Sequence, residues 1–234
     1  MTTVKALIMK LTTIEKFLLL AQHPDKGRFV ISDIHLNHSV LGLLFIKMFE
    51  EEGVSLDNNK IVINENYEPA DPILSDIIMN IRKSRRKRRL RTWILKLSGK
   101  APKYKRTILE EMQKKGLVRI EVKKIIAFIT YNRVYLENQE IRDGLIKVLR
   151  DSVLEERELT SEMLVLLAMS EACKMHRIYV STRAELRTFR ASLKKIIKEN
   201  PVANDVEQSI RQVQAAIVAI VASTAAAAAA SSSR

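Results

Sequence analysis

Ten consecutive positions, from Arg82 to Arg91, hold eight cations; only Ser84 and Leu90 interrupt them. A guanidinium presents a planar fork of donors that matches carboxylate or phosphate oxygens in pairs. Eight such charges in ten positions repel one another unless an anion lies close or solvent screens them. The run therefore predicts an anion-binding surface, against the plainer reading of a solvated helix face. Further cations follow at Lys96, Lys100, Lys103, Lys105, Arg106, Lys114, Lys115, Lys123 and Lys124. The expected anion-binding residues are Arg82, Arg85, Arg86, Arg89, Lys103, Lys105 and Arg106.

Other chemistry is sparse. His35 and His38 are three apart on an expected helix, yet no HExxH pattern or neighbouring cysteine completes a metal site. Cys173 and His176 share that spacing, but a thiolate nucleophile also needs an accessible, electropositive site and an orienting group. The six glycines stand at least eleven residues apart, so neither a phosphate-cradling loop nor a dinucleotide fingerprint is present. The expectation is a binding protein without enzymatic activity, cofactor or metal.

The elements that must carry the cations can be read from periodicity. Leu7, Leu11, Ile14 and Leu18 predict one early helix, and Leu36, Val40, Leu43, Leu44 and Met48 a second, ended by Gly53. Ile61 to Ile63 is a short strand candidate. Asp71-Pro72 is a helix start, with a capping acid ahead of a proline at the first helical position. That helix is expected to run through the basic stretch into Trp93 and Leu97, ending at Ser98-Gly99. Tyr104 to Lys115 forms the next helix, with Gly116 as its cap. Val118, Ile120 and Val122 then alternate with polar residues, Lys123-Lys124 turns the chain, and Ile125 to Tyr131 returns as the partner strand. This is the one hairpin expected. From Glu140 onward the periodicity is helical, with faces at Ile141–Leu149, Leu164–Ala168, Leu186–Ile197 and Val206–Ile220.

The composition bounds the rest. The chain has 234 residues, 47% of them hydrophobic and 29% charged, with scarce glycine and proline. That fits a mainly α fold, a single helical domain over 1–223 with one projecting β-hairpin, and a low-complexity Ala/Ser tail over 224–234. One cysteine allows no internal disulfide and fits a reducing, cytoplasmic compartment. Lysines at 5, 10 and 16 interrupt the early apolar runs, so no secretory signal or membrane span is expected. The formal net charge is +13, but residues 80–124 carry eighteen cations against three glutamates, so the basic character belongs to that segment. An anionic partner follows. Ile125 to Ile129 is continuously apolar just after two lysines. It reads either as a strand buried on both faces or as a shallow membrane wedge, with Lys123 and Lys124 at headgroup level and Ile125, Ile126 and Phe128 beneath.

Taken in order, these segments resemble the Golgi phosphoprotein 3 family from about Leu11 to Ser223. The likeness rests on LTTIEKFLLL at Leu11–Leu20, Trp93-Ile94 with Leu97-Ser98-Gly99, and Lys115-Gly116-Leu117 ahead of the hairpin. LIKVLRDSVL at Leu145–Leu154 and the Met163–Ala168 segment continue it. The resemblance implies a helical peripheral membrane protein with a basic face that binds phosphatidylinositol 4-phosphate, a hairpin that inserts in the bilayer, and binding of the cytosolic tails of membrane proteins, glycosyltransferases among them. The family's headgroup pocket uses a tryptophan and several arginines. Here the tryptophan position falls on Ser32, one arginine position on Leu41, a second on Lys105, and a third near Pro102, with Lys103 the closest cation. The expectation is therefore a binder of anionic membrane surfaces more than a selective phosphoinositide reader. The alternative is a winged-helix-like nucleic-acid binder, with Lys103–Lys115 as recognition helix and Lys123-Lys124 as wing; Ile125–Ile129 is too apolar for a phosphate-contacting tip. A scaffold whose basic face docks acidic peptides is the other rival.

Overall fold

α1 (Thr2–Lys10) and α2 (Thr13–Ala21) occupy the stretch whose leucine spacing predicts a single helix. The break is at Thr12. Its hydroxyl accepts the Glu15 N–H at 3.3 Å, and the Glu15 carboxylate accepts the Thr12 N–H at 2.9 Å. This capping box starts a new helix inside a periodic run. The computed structural model describes residues 2–126, 129–155, 157, 159–199 and 211–220.

The chain continues through α3 (Asp33–Glu50), β1 (Val54–Asp57), β2 (Lys60–Ile63), α4 (Pro72–Arg82), α5 (Leu90–Leu97) and α6 (Ala101–Lys114). Then come β3 (Val118–Ile126), β4 (Ile129–Leu136), α7 (Gln139–Leu154), α8 (Ser161–Ala172), a 3-10 turn at His176–Ile178 and α9 (Arg183–Glu199). Residues 211–220 form a further helix, α10. The fold is mainly α, with two antiparallel two-stranded hairpins among the described residues. Among the same residues no helix is long and apolar enough to cross a membrane.

The described residues fall into two compact units, 2–33 with 105–199 and 34–104 with 211–220. In the first, α2, α7, α8 and α9 bury Phe17, Leu18, Leu149, Val165, Leu167 and Phe189. The Tyr179 and Phe189 rings stack with centroids 5.0 Å apart. In the second, α3 is apolar on nearly every face and buried along most of its length. Val213 and Ile217 of α10 meet its Gly42, where an added Cβ would stand 2.7 Å from Val213. Asp71 caps α4 as expected: its carboxylate accepts the Ile73 N–H at 2.9 Å and Lys47 at 2.8 Å.

Three local expectations are corrected. The basic run is not a helix: α4 ends at Arg82, and α5 begins only at Leu90. In a continuous helix Arg82, Arg85, Arg86 and Arg89 would stand at i, i+3, i+4 and i+7, stacking like charges on one face. The chain instead runs along β2, where the Ile61 N–H donates to the Arg88 carbonyl at 2.9 Å and Lys60 bridges to Arg89. Second, β1 and β2 make an unforeseen hairpin around Asn58-Asn59, whose φ values of 50° and 60° suit a two-residue turn. Third, Lys123-Lys124 does not turn the main hairpin. Lys123 pairs with Tyr131, Lys124 with Thr130 and Ile126 with Ile129, with a register shift between Lys124 and Ile126. Two lysines offer no turn chemistry, and the β-branched isoleucines extend the strand.

Candidate functional site

The cations expected to bind an anion divide between the two units. In the second, Arg82 closes α4 and donates to the Tyr67 carbonyl at 2.9 Å and the Glu65 carbonyl at 3.5 Å. Lys87 pairs with Asp57 at 3.0 Å, and that bond to Lys87 holds the Asp57 carboxyl below its ordinary range. These contacts fasten the basic loop at its start and middle. Arg85, Arg86 and Arg89 are exposed, and their side chains have no hydrogen bond or ion pair among the described residues. Lys103, on α6, is exposed and equally unpaired. The α4–α6 portion of this unit is tied by Asp76. Its carboxylate accepts Lys100 at 2.9 Å and the Tyr104 hydroxyl, which, with Lys100, holds it below the usual carboxylate range.

In the first unit, two of the expected cations already have partners. Lys105 is only 14% exposed, donates to Asp33 at 2.5 Å and lies 5.9 Å from the Phe29 ring centroid. Arg106 pairs with Glu110 one helical turn on, at 2.7 Å. Of the positions that the resemblance sets at a headgroup pocket, Ser32 is exposed and carries no ring, and Leu41, in the other unit, is fully buried.

The β3–β4 hairpin belongs to the first unit, and its base is firmly held. The Val134 N–H donates to the Gly27 carbonyl at 3.1 Å, the Gln22 amide donates to the Val134 carbonyl, and Arg133 donates to the Lys26 carbonyl at 2.7 Å. Gly27, at φ 55°, lies so close under Tyr135 that an added Cβ would stand 2.5 Å from the ring. Burial then fades along the strand. Val118 is 2% exposed and Val122 64%, while Lys123 and Lys124 are exposed. Lys123 pairs with Glu121 at 2.7 Å. The described pairing extends past both lysines, to Ile126 with Ile129. Ile125 and Ile126 therefore end β3, and the return strand begins at Ile129, not at Ile125. Phe128 lies outside the described residues.

The histidine and cysteine motifs show no catalytic arrangement among the described residues. His38 is buried on α3, and burial lowers its pKa. Cys173 is buried at the end of α8, and the His176 ring contacts the Glu171 carboxylate. No group of three or more His, Cys, Asp or Glu residues suited to a metal occurs among the described residues. A cluster the sequence reading passed over lies on α9, where Arg183, Arg187, Arg190 and Lys194 recur at i, i+4, i+7 and i+11. That spacing was legible, but the denser run at 82–91 overshadowed it.

Against known proteins, a family model described as Golgi phosphoprotein 3 (GPP34) matches residues 14–213. No curated protein matches the chain.

Proposed function

The chain belongs to the Golgi phosphoprotein 3 family, and on that premise we propose that it is a peripheral membrane protein that binds anionic lipid surfaces. One observation carries the reading: pairing in the β3–β4 hairpin runs on through exposed Lys123, paired with Glu121, and exposed Lys124 to Ile126 and Ile129, so apolar residues of the run Ile125–Ile129 lie beyond the lysines. That order of charge and apolar surface matches the order of headgroup and acyl chain. Burying one phenylalanine side chain in the acyl boundary is worth about 1.5–3 kcal/mol. Each cation held near an anionic leaflet adds about 1 kcal/mol. Arg85, Arg86, Arg89 and Lys103 have no internal partner among the described residues and supply the charge term.

The lipid preference is for charge more than for one headgroup. Ser32 offers no aromatic platform, Leu41 is buried, and Lys105 is held by Asp33. Phosphatidylinositol 4-phosphate then binds as one anionic lipid among others.

Liposome flotation tests this. The protein should float with generic anionic vesicles and with phosphatidylinositol 4-phosphate vesicles of equal charge alike, and not with neutral vesicles. Phe128→Asp should reduce flotation several-fold and leave the urea midpoint within experimental error, because the nearest residues of described burial, Val122, Lys123, Lys124 and Tyr131, are exposed. A Phe128→Asp protein that loses several kcal/mol of stability would place that ring in a core. Absence of flotation with every vesicle overturns the membrane reading. Tight binding to single-stranded or duplex DNA would then favour the winged-helix alternative.

A further inference from the structure

The outer face of α9 forms one wall of an open cavity of about 640 Å³ in the first unit. Five cations line it: Arg183, Arg187, Arg190 and Lys194 from α9, and Arg177 from the preceding 3-10 turn. Leu186 and Ala191, beside the cation stripe on the same helix, complete its lining. The opposite face of the helix is core, with Phe189 and Leu193 fully buried, so the helix cannot roll to disperse its charges. Its start is fixed too: Thr182 accepts the Glu185 N–H at 3.1 Å, and the Glu185 carboxylate accepts the Thr182 N–H at 3.2 Å.

None of the five cations has an ion pair or hydrogen bond among the described residues, although many lysines and arginines elsewhere do. The nearby acids are committed. Glu185 caps the helix and faces Arg150 at 3.7 Å. Glu171 is bonded to His176, which holds its carboxyl below the ordinary range, with help from the charges of Arg190 and Lys194. Five cations without an ion pair of their own, two of them within reach of the Glu171 charge, leave a net positive field in the cavity.

The shape narrows the ligand. Arg183 and Lys194 are eleven residues apart, about 16 Å along a helix axis, too far for one phosphate or carboxylate to satisfy. No aromatic side chain lines the cavity, so bases have no stacking platform. Among the described residues of this face Leu186 is the large apolar side chain that lines the cavity, and it is half-buried, which leaves little apolar surface to enter a bilayer. Successive cations of the stripe are separated by about 4.5–6 Å along the axis. Alternate side chains of an extended strand recur every ~6.7 Å. We propose that this groove docks an extended acidic peptide segment of a partner protein, with carboxylates at alternate positions meeting the α9 cations and the intervening side chains lying over Leu186 and Ala191. The site uses none of the residues assigned to the membrane, so either reading can fail alone.

The test is fluorescence anisotropy on the full chain at low salt, with a labelled peptide of alternating glutamate and serine as probe. A peptide of the same composition with its glutamates in one block, single-stranded DNA and anionic vesicles serve as comparators. The alternating peptide should bind more tightly than the block peptide. Arg187→Glu with Arg190→Glu should weaken it about tenfold or more, the scale of two lost ion pairs. Arg187→Gln with Arg190→Gln should weaken it less, and Arg85→Glu with Arg86→Glu should leave it unchanged. The α9 variants should retain their helical circular dichroism and float with anionic vesicles as before. The proposal is overturned by failure of the alternating peptide to bind, or by equal binding to the α9 variants. Equal binding of the block peptide overturns the register. DNA or vesicle binding that depends on the α9 cations more than peptide binding does overturns the choice of partner.

Discussion

An ammonium already held by a carboxylate has little left to offer a ligand. Lys105 is in that position, because its partner Asp33 lies 72 residues away along the chain and beside it in space. Arg85, Arg86 and Arg89 belong to a denser run, yet their side chains stay open because the loop that bears them is fastened through Arg82, Lys87 and the backbone of Arg88. Sequence marks where cations are plentiful but not which ones have partners, since pairing is decided by distant residues. Asp76 shows the same economy and can be measured. The Tyr104 hydroxyl and Lys100 hold its carboxyl below the ordinary 3.8. A depressed folded-state pKa contributes stability that is present above the unfolded value and is lost as pH falls through the folded one. Urea midpoints of the wild type should therefore exceed those of Asp76→Asn near pH 6. The gap should close as pH drops from about 4 toward 2. A gap that persists unchanged to pH 2 would mean the bonds to Asp76 do not depend on its charge.

At the scale of the element, the hairpin shows where periodicity informs and where it stops. Alternation at Val118, Ile120 and Val122 identified β3, and Asp71-Pro72 marked the start of α4. The reversal was misplaced because two lysines after an alternating strand look like a polar turn, although neither favours positive φ. The β1–β2 hairpin was missed for the opposite reason: Asn58-Asn59 is a turn signal, but its strands are only four residues each. What holds the β3–β4 hairpin to its unit is a contact no local pattern encodes, Gly27 beneath Tyr135. Gly27→Ala should destabilise the protein by about 1–3 kcal/mol, from a left-handed φ and a clash with the ring. Adding Tyr135→Leu should recover the clash but not the backbone strain. Urea denaturation of both variants measures this, and an unchanged midpoint for Gly27→Ala would show that the hairpin base yields freely.

For the molecule as a whole, the +13 charge is concentrated instead of spread, and this shapes its response to salt. Screening shortens the reach of exposed charges from about 10 Å at 0.1 M to about 3 Å at 1 M. Membrane binding should therefore separate into a salt-sensitive part carried by cations and a salt-resistant part carried by the hairpin tip. Flotation at rising salt should reach a plateau above zero for the wild type and fall to zero for Phe128→Asp; coincident curves would show that the tip contributes nothing. The mainly α character and the family order were legible from spacing. The division into two units was not, because each is assembled from separate stretches of chain. That interleaving sets a timetable during translation. Residues 2–33 meet the rest of their unit only after about 70 intervening residues have been made, several seconds at ~5–20 residues per second. Through that interval Phe17, Leu18 and Leu20 of α2, all buried in the finished fold, have no core to enter. A ribosome stalled near residue 104 would hold them out for chaperones to find.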